Sequence, residues 1–244
     1  MVSFESLFGY GNFILYFIVE CVSITRIGGE HKLKLINTQG ITYLEQLEGT
    51  TKWYWGTDYI HGDLYEAEEL FNNNHKIKSN TLLFVSFPDG KVIEPIKAQA
   101  GQYFGRPIYN NNNIIILLVD FNKQLIKLEK YNEITCEIVN IVSIPLSEVK
   151  NCYNLMLKLS PLMLTREGDE NSFEIIYPNK MNFQIGYNES FCFRKDDYLY
   201  FSSWFEDGEY REEVIIRDIN TGDIIEKKAG AITVMSDGQV WLLR

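Results

Sequence analysis

The chain has 244 residues, of which 45% are hydrophobic and 14% aromatic, with 15 Tyr and 15 Phe. This supply of apolar side chains excludes an intrinsically disordered chain, and the aromatic richness favours β-strands over helices. The net charge of −10 disfavours both nucleic acid and an anionic membrane as partners. We therefore expect an unknown protein or a small-molecule ligand such as a carbohydrate.

The first apolar run of the chain is Phe13–Val19. It has seven residues, it follows a stretch without Lys or Arg, and Glu20 ends it. A signal peptide has a basic first region and a small-residue cleavage site, and a membrane-spanning helix needs about 20 apolar residues. The run therefore predicts a buried strand, and we expect a cytoplasmic protein.

Five stretches share one pattern, in which an apolar strand, a tight polar turn and a second apolar strand follow one another. Their turns lie at Gly40, Gly90, Gln124, Lys180 and Gly222, which are 50, 34, 56 and 42 residues apart, with a mean of 45.5. Glycine supplies the positive φ that a short hairpin turn requires. The turns at Gln124 and Lys180 lack glycine, so we expect them to be longer, bulged or strained.

The mean spacing suits a repeat of four strands, because propeller blades take roughly 40–50 residues. Residues 120–130 and 218–228 are the closest pair of repeats. The Asp218–Ile225 segment, with its Asp-x-x-Thr-Gly turn, is followed by Ala231–Leu243, and together they resemble the outer hairpin of a β-propeller blade and a strand pair of the closing blade. The resemblance is to the β-propeller superfamily as a whole.

The resemblance implies an all-β protein, a five-bladed β-propeller of irregular four-stranded blades, with residues 1–244 in a single domain. It also implies that Ala231–Leu243 pairs in one sheet with the strand around Phe13–Val19, since a propeller closes by joining both chain ends in one blade. A β-sandwich, other packed antiparallel sheets or an α+β fold would give similar local signals.

One segment departs from the β pattern. Leu64 and Ala67 have helical spacing, Asp63 stands where an N-cap would, and Glu66 follows three residues later. We predict a short helix near residues 63–71, ended by the asparagines at 72–74. Residues 145–149 predict a second, shorter helical turn.

The cysteines and histidines are too scattered for a metal site. They are Cys21, Cys136, Cys152 and Cys192, with His31, His61 and His75. None forms a Cys-x-x-Cys or a clustered His motif, and glycine-rich phosphate loops are missing as well. We expect reduced core thiols, no metal and no cofactor.

The densest group of aromatic and ionisable residues is the stretch from Trp53 to Asp63. One interpretation is a ligand-binding surface, with aromatic faces for a sugar ring or a base and polar groups to orient it. The residues proposed for it are Trp53, Trp55, Asp58 and His61, with Arg106 from the next repeat. In the other interpretation, Trp53 and Trp55 alternate onto the core face of a strand and Asp63 caps the helix.

We therefore expect a non-catalytic binding or interaction module on a propeller scaffold. The alternative is a small carbohydrate-active hydrolase or lyase that uses channel-facing carboxylates; a structural role in a larger assembly is a third hypothesis. A glycosidase needs two carboxyl groups about 5–9.5 Å apart. With 33 Asp and Glu residues the chain offers many pairs by chance, and no sequence motif selects one.

Overall fold

The computed structural model describes residues 33–159, 161–168, 170–235 and 239–244. Within them, Ile36–Arg244 belongs to one compact unit. Two sequence predictions reach outside this part of the chain: the pairing of Ala231–Leu243 with the Phe13–Val19 run, and the single domain over residues 1–244. Both stay predictions.

Nineteen strands in the described residues form five antiparallel sheets that follow one another along the chain. Sheet A contains β1 (Glu45–Gln46), β2 (Trp53–Thr57), β3 (Leu82–Ser86) and β4 (Val92–Ile93). Sheet B contains β5 (Gln102–Phe104), β6 (Ile108–Asn110), β7 (Asn113–Asp120), β8 (Leu125–Asn132) and β9 (Ile138–Pro145). Sheet C contains β10 (Leu155–Lys158), β11 (Met163–Glu167), β12 (Ser172–Tyr177) and β13 (Met181–Gln184). Sheet D contains β14 (Glu189–Lys195), β15 (Tyr198–Phe205), β16 (Arg211–Asp218) and β17 (Ile224–Ala229), and sheet E contains β18 (Ala231–Val234) and β19 (Val240–Leu243).

Sheets A, C and D are simple meanders in which each strand pairs with the next. In sheet B the order is β5-β7-β8-β9, and β6 pairs with the other end of β7. The all-β prediction is therefore confirmed, with consecutive sheets of about four strands.

One α-helix, α1 (Leu64–Asn72), lies between β2 and β3. The carboxylate of Asp63 accepts hydrogen bonds from the backbone N–H groups of Tyr65 and Glu66, and Leu64 and Ala67 are buried, so the predicted helix and its cap are confirmed. A 3-10 turn at Leu146–Glu148 confirms the second helical prediction. No helix in the described residues is long and apolar enough to span a bilayer.

Sheet B packs on both faces, and every residue of β7 from Ile114 to Asp120 is buried. Its side chains at 114, 116 and 118 share a core with Trp53, Trp55 and Phe84 of sheet A. Those at 115, 117 and 119 share a second core with α1 and with Leu155 and Leu157 of sheet C. A strand that is apolar on both faces reads as a continuous hydrophobic run, which explains the sequence Ile-Ile-Ile-Leu-Leu-Val at 114–119.

A third core joins sheets C and D. It contains Met163, Phe173 and Ile175 from sheet C and Phe191, Leu199, Phe201 and Ile215 from sheet D. Sheets A and B, B and C, and C and D therefore each share a core.

Four of the five predicted hairpins are present, namely β3–β4, β7–β8, β12–β13 and β16–β17. Gln124 has φ 55°, which confirms that its turn is strained. The prediction of a first hairpin around Gly40 is wrong: Gln39 and Gly40 form a turn, but residues 33–43 contain no strand. Leu33 and Leu35 are 94% and 95% exposed, so their apolar pattern does not reflect a buried strand face.

The prediction that the cysteines are core residues is partly wrong. Cys152 is buried and Cys192 half-buried, but Cys136 is exposed in the turn between β8 and β9, with φ 58°. Ile134 lies in the same turn and is also exposed, whereas Tyr131 and Ile138 belong to the two strands that the turn connects. Cys21 lies outside the described residues.

Candidate functional site

The two tryptophans of β2 lie on the core face of sheet A. Trp53 pairs with Ser86 and Trp55 with Phe84 on β3, and the residues are only 4% and 2% exposed. Both belong to the core between sheets A and B. The strand alternation therefore predicted their burial correctly. Their surroundings nevertheless differ, because each lies near a different group of polar side chains.

Around Trp53, three donors converge on the carboxylate of Glu133. The indole N–H of Trp53 donates to Oε2 at 2.5 Å, Lys52 Nζ to the same oxygen at 3.0 Å, and the Tyr109 hydroxyl to Oε1 at 3.2 Å. Burial alone raises the pKa of Glu133, but these hydrogen bonds and the Lys52 charge outweigh it and leave the pKa lowered. The group joins sheets A and B, and it leaves the buried indole donor satisfied.

Around Trp55, the rings and charges are arranged differently. The imidazole of His61 stacks on the indole, with ring centroids 4.8 Å apart and an angle of 11° between the planes, and the guanidinium of Arg106 lies 5.6 Å from the indole centroid. His61 Nε2 donates to Glu45 Oε2 at 3.1 Å, and Arg106 donates to the other oxygen of the same carboxylate. The ring of Tyr43 meets His61 edge-on at 5.0 Å.

A strained loop holds His61 in this position. Ile60, His61 and Gly62 are three consecutive residues with positive φ, at 57°, 40° and 81°. Left-handed backbone is unfavourable for most side chains and especially for a β-branched one such as isoleucine. Gly62 is also needed for space, because a Cβ there would lie 2.7 Å from Cγ of Arg106 and 3.0 Å from its backbone nitrogen.

His61 borders a cavity of about 170 Å³, which we call the His61 cavity. One wall of the cavity is the start of α1, with Asp63 and Tyr65. The rest of the lining is Arg106, between β5 and β6, and the segment 152–156, which leads into β10. The rings of Tyr65 and Tyr153 meet edge to face at 5.6 Å in this wall. Segments attached to sheets A, B and C therefore meet here.

A second, larger cavity of about 600 Å³ also borders the strained loop. We call it the Tyr43 cavity. It is lined by residues 39–43 and 57–61, so His61 borders both cavities. Tyr43 and Tyr59 are 62% and 49% exposed here.

The two aspartates of the stretch already have protein partners. Asp58 accepts hydrogen bonds from the backbone N–H of Thr81 at 2.7 Å and from its hydroxyl at 3.0 Å, which ties the strained loop to the start of β3. Asp63 caps α1. Of the five residues selected from the sequence, the structure brings Trp55, His61 and Arg106 into contact, places Asp58 in the wall of the Tyr43 cavity, and places Trp53 in the Glu133 group.

Two other ionisable groups are perturbed near these elements. Burial raises the pKa of the Cys152 thiol, and the neighbouring carboxylate of Glu68 adds to the rise, which makes the thiol a poor nucleophile. Burial also raises the pKa of Glu167, which accepts a hydrogen bond from the backbone N–H of Phe191. In the described ranges, no three His, Cys, Asp or Glu residues are grouped so as to hold a metal ion.

The sequence did not point to Glu45, Tyr43, Tyr65 or Tyr153. Tyr43 closes the stretch predicted as the first hairpin, and Glu45 and Tyr153 come from segments without a recognisable motif. The only available signal was that Tyr43 and Glu45 lie ten and eight residues before Trp53, where the aromatic stretch begins. No protein-family model and no curated protein matches the chain.

Proposed function

We propose that the protein is a non-catalytic binding module on a β-propeller scaffold, and that it holds a small, uncharged, polar ligand in the His61 cavity. The observation that carries the proposal is the strained loop Ile60–Gly62, which holds His61 flat on Trp55 at the mouth of a cavity.

The scaffold part of the proposal rests on the stacking of the sheets. Meandering sheets that share a core with the next sheet in the chain, as A–B, B–C and C–D do, are the arrangement expected of propeller blades. Propellers commonly bind ligands where loops of several blades meet. The His61 cavity has this character, because its walls come from segments attached to three sheets.

The strain supports a binding role because unfavourable backbone persists only where the surrounding structure enforces it. Each such residue costs about 1–3 kcal/mol, and such residues cluster at ligand sites. Here the Glu45 carboxylate and the Trp55 ring fix the imidazole, and Arg106 in turn contacts both of these groups. A fixed side chain loses little further entropy when it binds a ligand.

The expected ligand is polar but uncharged. The charge of Arg106 is paired with Glu45, and the carboxylates of Asp58 and Asp63 are occupied by hydrogen bonds from the protein. Within the described part of the chain, two sets of polar atoms are left to interact with a ligand. The remaining guanidinium N–H groups of Arg106 can donate, and Nδ1 of His61 can accept in the tautomer whose Nε2–H donates to Glu45. Together with the tyrosine rings, these groups suit a molecule with hydroxyl groups and an apolar face, such as a sugar.

A binding role is favoured over the hydrolase because the carboxylates at the cavity have structural partners. A glycosidase needs one carboxyl with a raised pKa beside a second, ionised one. Burial raises the pKa of Glu167, but its contacts are the Phe191 backbone N–H and Lys158, and it lines neither cavity.

The test is ligand-detected NMR with a panel of monosaccharides, neutral amino acids and small dicarboxylates. We expect at least one uncharged panel member to bind the wild-type protein, with an affinity at least tenfold lower for His61→Ala and for Arg106→Met. Arg211→Met is the matched control, because Arg211 is an equally exposed arginine paired with Asp207 on sheet D. Binding that Arg211→Met weakens as much as Arg106→Met, or the failure of every panel member to bind, would contradict the proposal.

A further inference from the structure

The two cavities beside His61 are adjacent, and their linings are alike. Each contains two tyrosines, Tyr65 and Tyr153 in the His61 cavity and Tyr43 and Tyr59 in the Tyr43 cavity. His61 lines both, so the two cavities lie side by side at this residue.

We infer that the ligand is a linear, neutral oligosaccharide, with at least one sugar unit in the His61 cavity and at least one in the Tyr43 cavity. The inference rests on the proposed function, because it assigns the chemical class and length of the ligand bound at the same site. The His61 cavity has a volume of about 170 Å³ and the Tyr43 cavity of about 600 Å³, which allows a short portion of the oligosaccharide in the first and a longer portion in the second.

The rings select sugars over other chains of repeating units. Tyr43 and Tyr59 are large amphipathic side chains exposed at the same cavity, where an apolar sugar face can lie on a ring while its hydroxyls meet polar groups. The polar groups in that wall are side chains without formal charge, Gln39, Thr42 and Thr57, apart from Asp58, which Thr81 occupies.

The lining also disfavours an acidic polysaccharide. A polyanion would need free cations along both cavities, whereas Arg106 is the one arginine or lysine that lines either of them among the described residues, and it is paired with Glu45. The net charge of −10 adds a long-range repulsion. Neutral chains meet neither obstacle.

The test begins with an array of neutral and acidic oligosaccharides, and it continues by titration calorimetry with the best neutral series at one, two, three and four units. We expect affinity to rise at least tenfold between one unit and three, because linked units bind with a high effective concentration. Tyr59→Ala should remove most of this rise while changing the affinity for the single unit less than threefold. Tyr187→Ala, at an exposed tyrosine between β13 and β14, is the control and should leave the rise intact.

The outcomes separate the two proposals. If a single sugar binds in a His61-dependent way but longer chains bind no better, the extended site is overturned and the proposed function stands. The same holds if the His61 cavity binds another polar molecule of the NMR panel and no sugar. If acidic chains bind better than neutral ones, the assigned class is wrong. If no probe of either experiment binds, the proposed function fails first.

Discussion

Strand β2 places two tryptophans in the same core, Trp53 at its start and Trp55 at its centre, but the polar groups that surround the two rings differ. We call these two surroundings the Trp53 end and the Trp55 end. At Trp53 the indole N–H, Lys52 and Tyr109 all donate to Glu133, and none of these residues lines the His61 cavity or the Tyr43 cavity. At Trp55, His61 and Arg106 share one carboxylate, stay partly exposed and border open space.

The difference shows how structural and functional polar groups can be told apart when aromatic density is the same. Buried polar groups are almost always paired, so a fully paired group needs no explanation beyond stability. A partly exposed imidazole held by three consecutive left-handed residues is costly, and the proposed binding role would give a reason for that cost. On this comparison, changes at the Trp53 end should lower stability, and changes at the Trp55 end should lower binding.

The largest effect is expected from Glu133→Ala. It leaves the buried Trp53 N–H without an acceptor and removes two further hydrogen bonds, for a loss of about 3 kcal/mol in the free energy of unfolding, or roughly 6–12 °C in melting temperature. Urea denaturation and thermal scans measure it. Glu137→Ala, at an exposed glutamate beyond the same turn, is the control and should cost less than about 0.5 kcal/mol. Equal losses from the two variants would contradict the role given to Glu133.

Acid should weaken the Trp53 end in a defined direction. The pKa of Glu133 in the folded protein is lowered relative to about 4.3 in an unfolded chain. Its stabilising contribution is therefore complete above that unfolded value and is lost as the pH falls through the folded pKa. We expect the wild-type protein to lose stability more steeply than Glu133→Gln below about pH 4.3. Parallel curves of unfolding free energy against pH for the two proteins would show that the carboxylate is not held in its charged form.

Gly62→Ala should have a smaller effect on stability, and it tests the Trp55 end. The new methyl group meets Cγ and the backbone nitrogen of Arg106, and the alanine must also adopt left-handed backbone. We therefore expect the free energy of unfolding to fall by about 2 kcal/mol. Gly40→Ala is the matched control: Gly40 has φ 93°, but a Cβ there meets nothing within 4 Å, so the loss should be about 1 kcal/mol. Urea denaturation compares them.

The same pair also separates stability from binding. Gly62→Ala displaces Arg106 from Trp55 and should weaken binding of the NMR panel ligand at least fivefold, whereas Gly40→Ala, in the Tyr43 cavity, should leave binding at the His61 cavity within twofold. A Gly62→Ala protein that is destabilised but binds normally would mean that the close approach of Gly62 and Arg106 serves folding alone.

Much of the fold followed from local patterns. The Asp63 cap, the helix at residues 64–72 and four hairpins were predictable because turn and cap residues act on their immediate neighbours. The alternation of Trp53 and Trp55 correctly predicted the core face of β2. The contact of His61 with Glu45 was not predictable, because it depends on three left-handed residues, of which only Gly62 is of a type that adopts that backbone readily, since glycine has no Cβ.

The irregular spacing of the repeats has a simple structural cause. In the order β5-β7-β8-β9, the turn at Gln124 joins the second and third strands of sheet B. The turns at Gly90, Lys180 and Gly222 instead join the third and fourth strands of their sheets. The equivalent turn in sheet B is the one at Cys136, which has no glycine and was not recognised. With Cys136 in place of Gln124, Gly90 and Cys136 lie 46 residues apart, and Cys136 and Gly222 lie 86 apart, or two steps of 43.

Three of the turns at equivalent positions share one backbone hydrogen bond, from the fifth residue of the turn to the first. The N–H of Gly90 donates to the carbonyl of Ser86 at 2.7 Å, Cys136 to Asn132 at 2.9 Å, and Gly222 to Asp218 at 2.8 Å. All three donors have positive φ, at 69°, 58° and 76°. The turn therefore requires left-handed backbone at its fifth position, and Cys136 occupies that position with a side chain that disfavours it.

The smallest expected effect, and the only gain, is that of Cys136→Gly. Glycine relieves about 1–2 kcal/mol of left-handed strain but makes the unfolded chain more flexible, so the net stabilisation should be about 0.5–1 kcal/mol, measured as a higher urea midpoint. Cys136→Ser keeps the strain and loses the thiol, so it should show no gain. Because the turn belongs to the Trp53 end, beside Glu133, binding at the His61 cavity should not change in either variant. A gain in stability that came with a loss of ligand affinity would mean that the Trp53 end and the Trp55 end are coupled, and the division between a structural and a functional end would then be wrong.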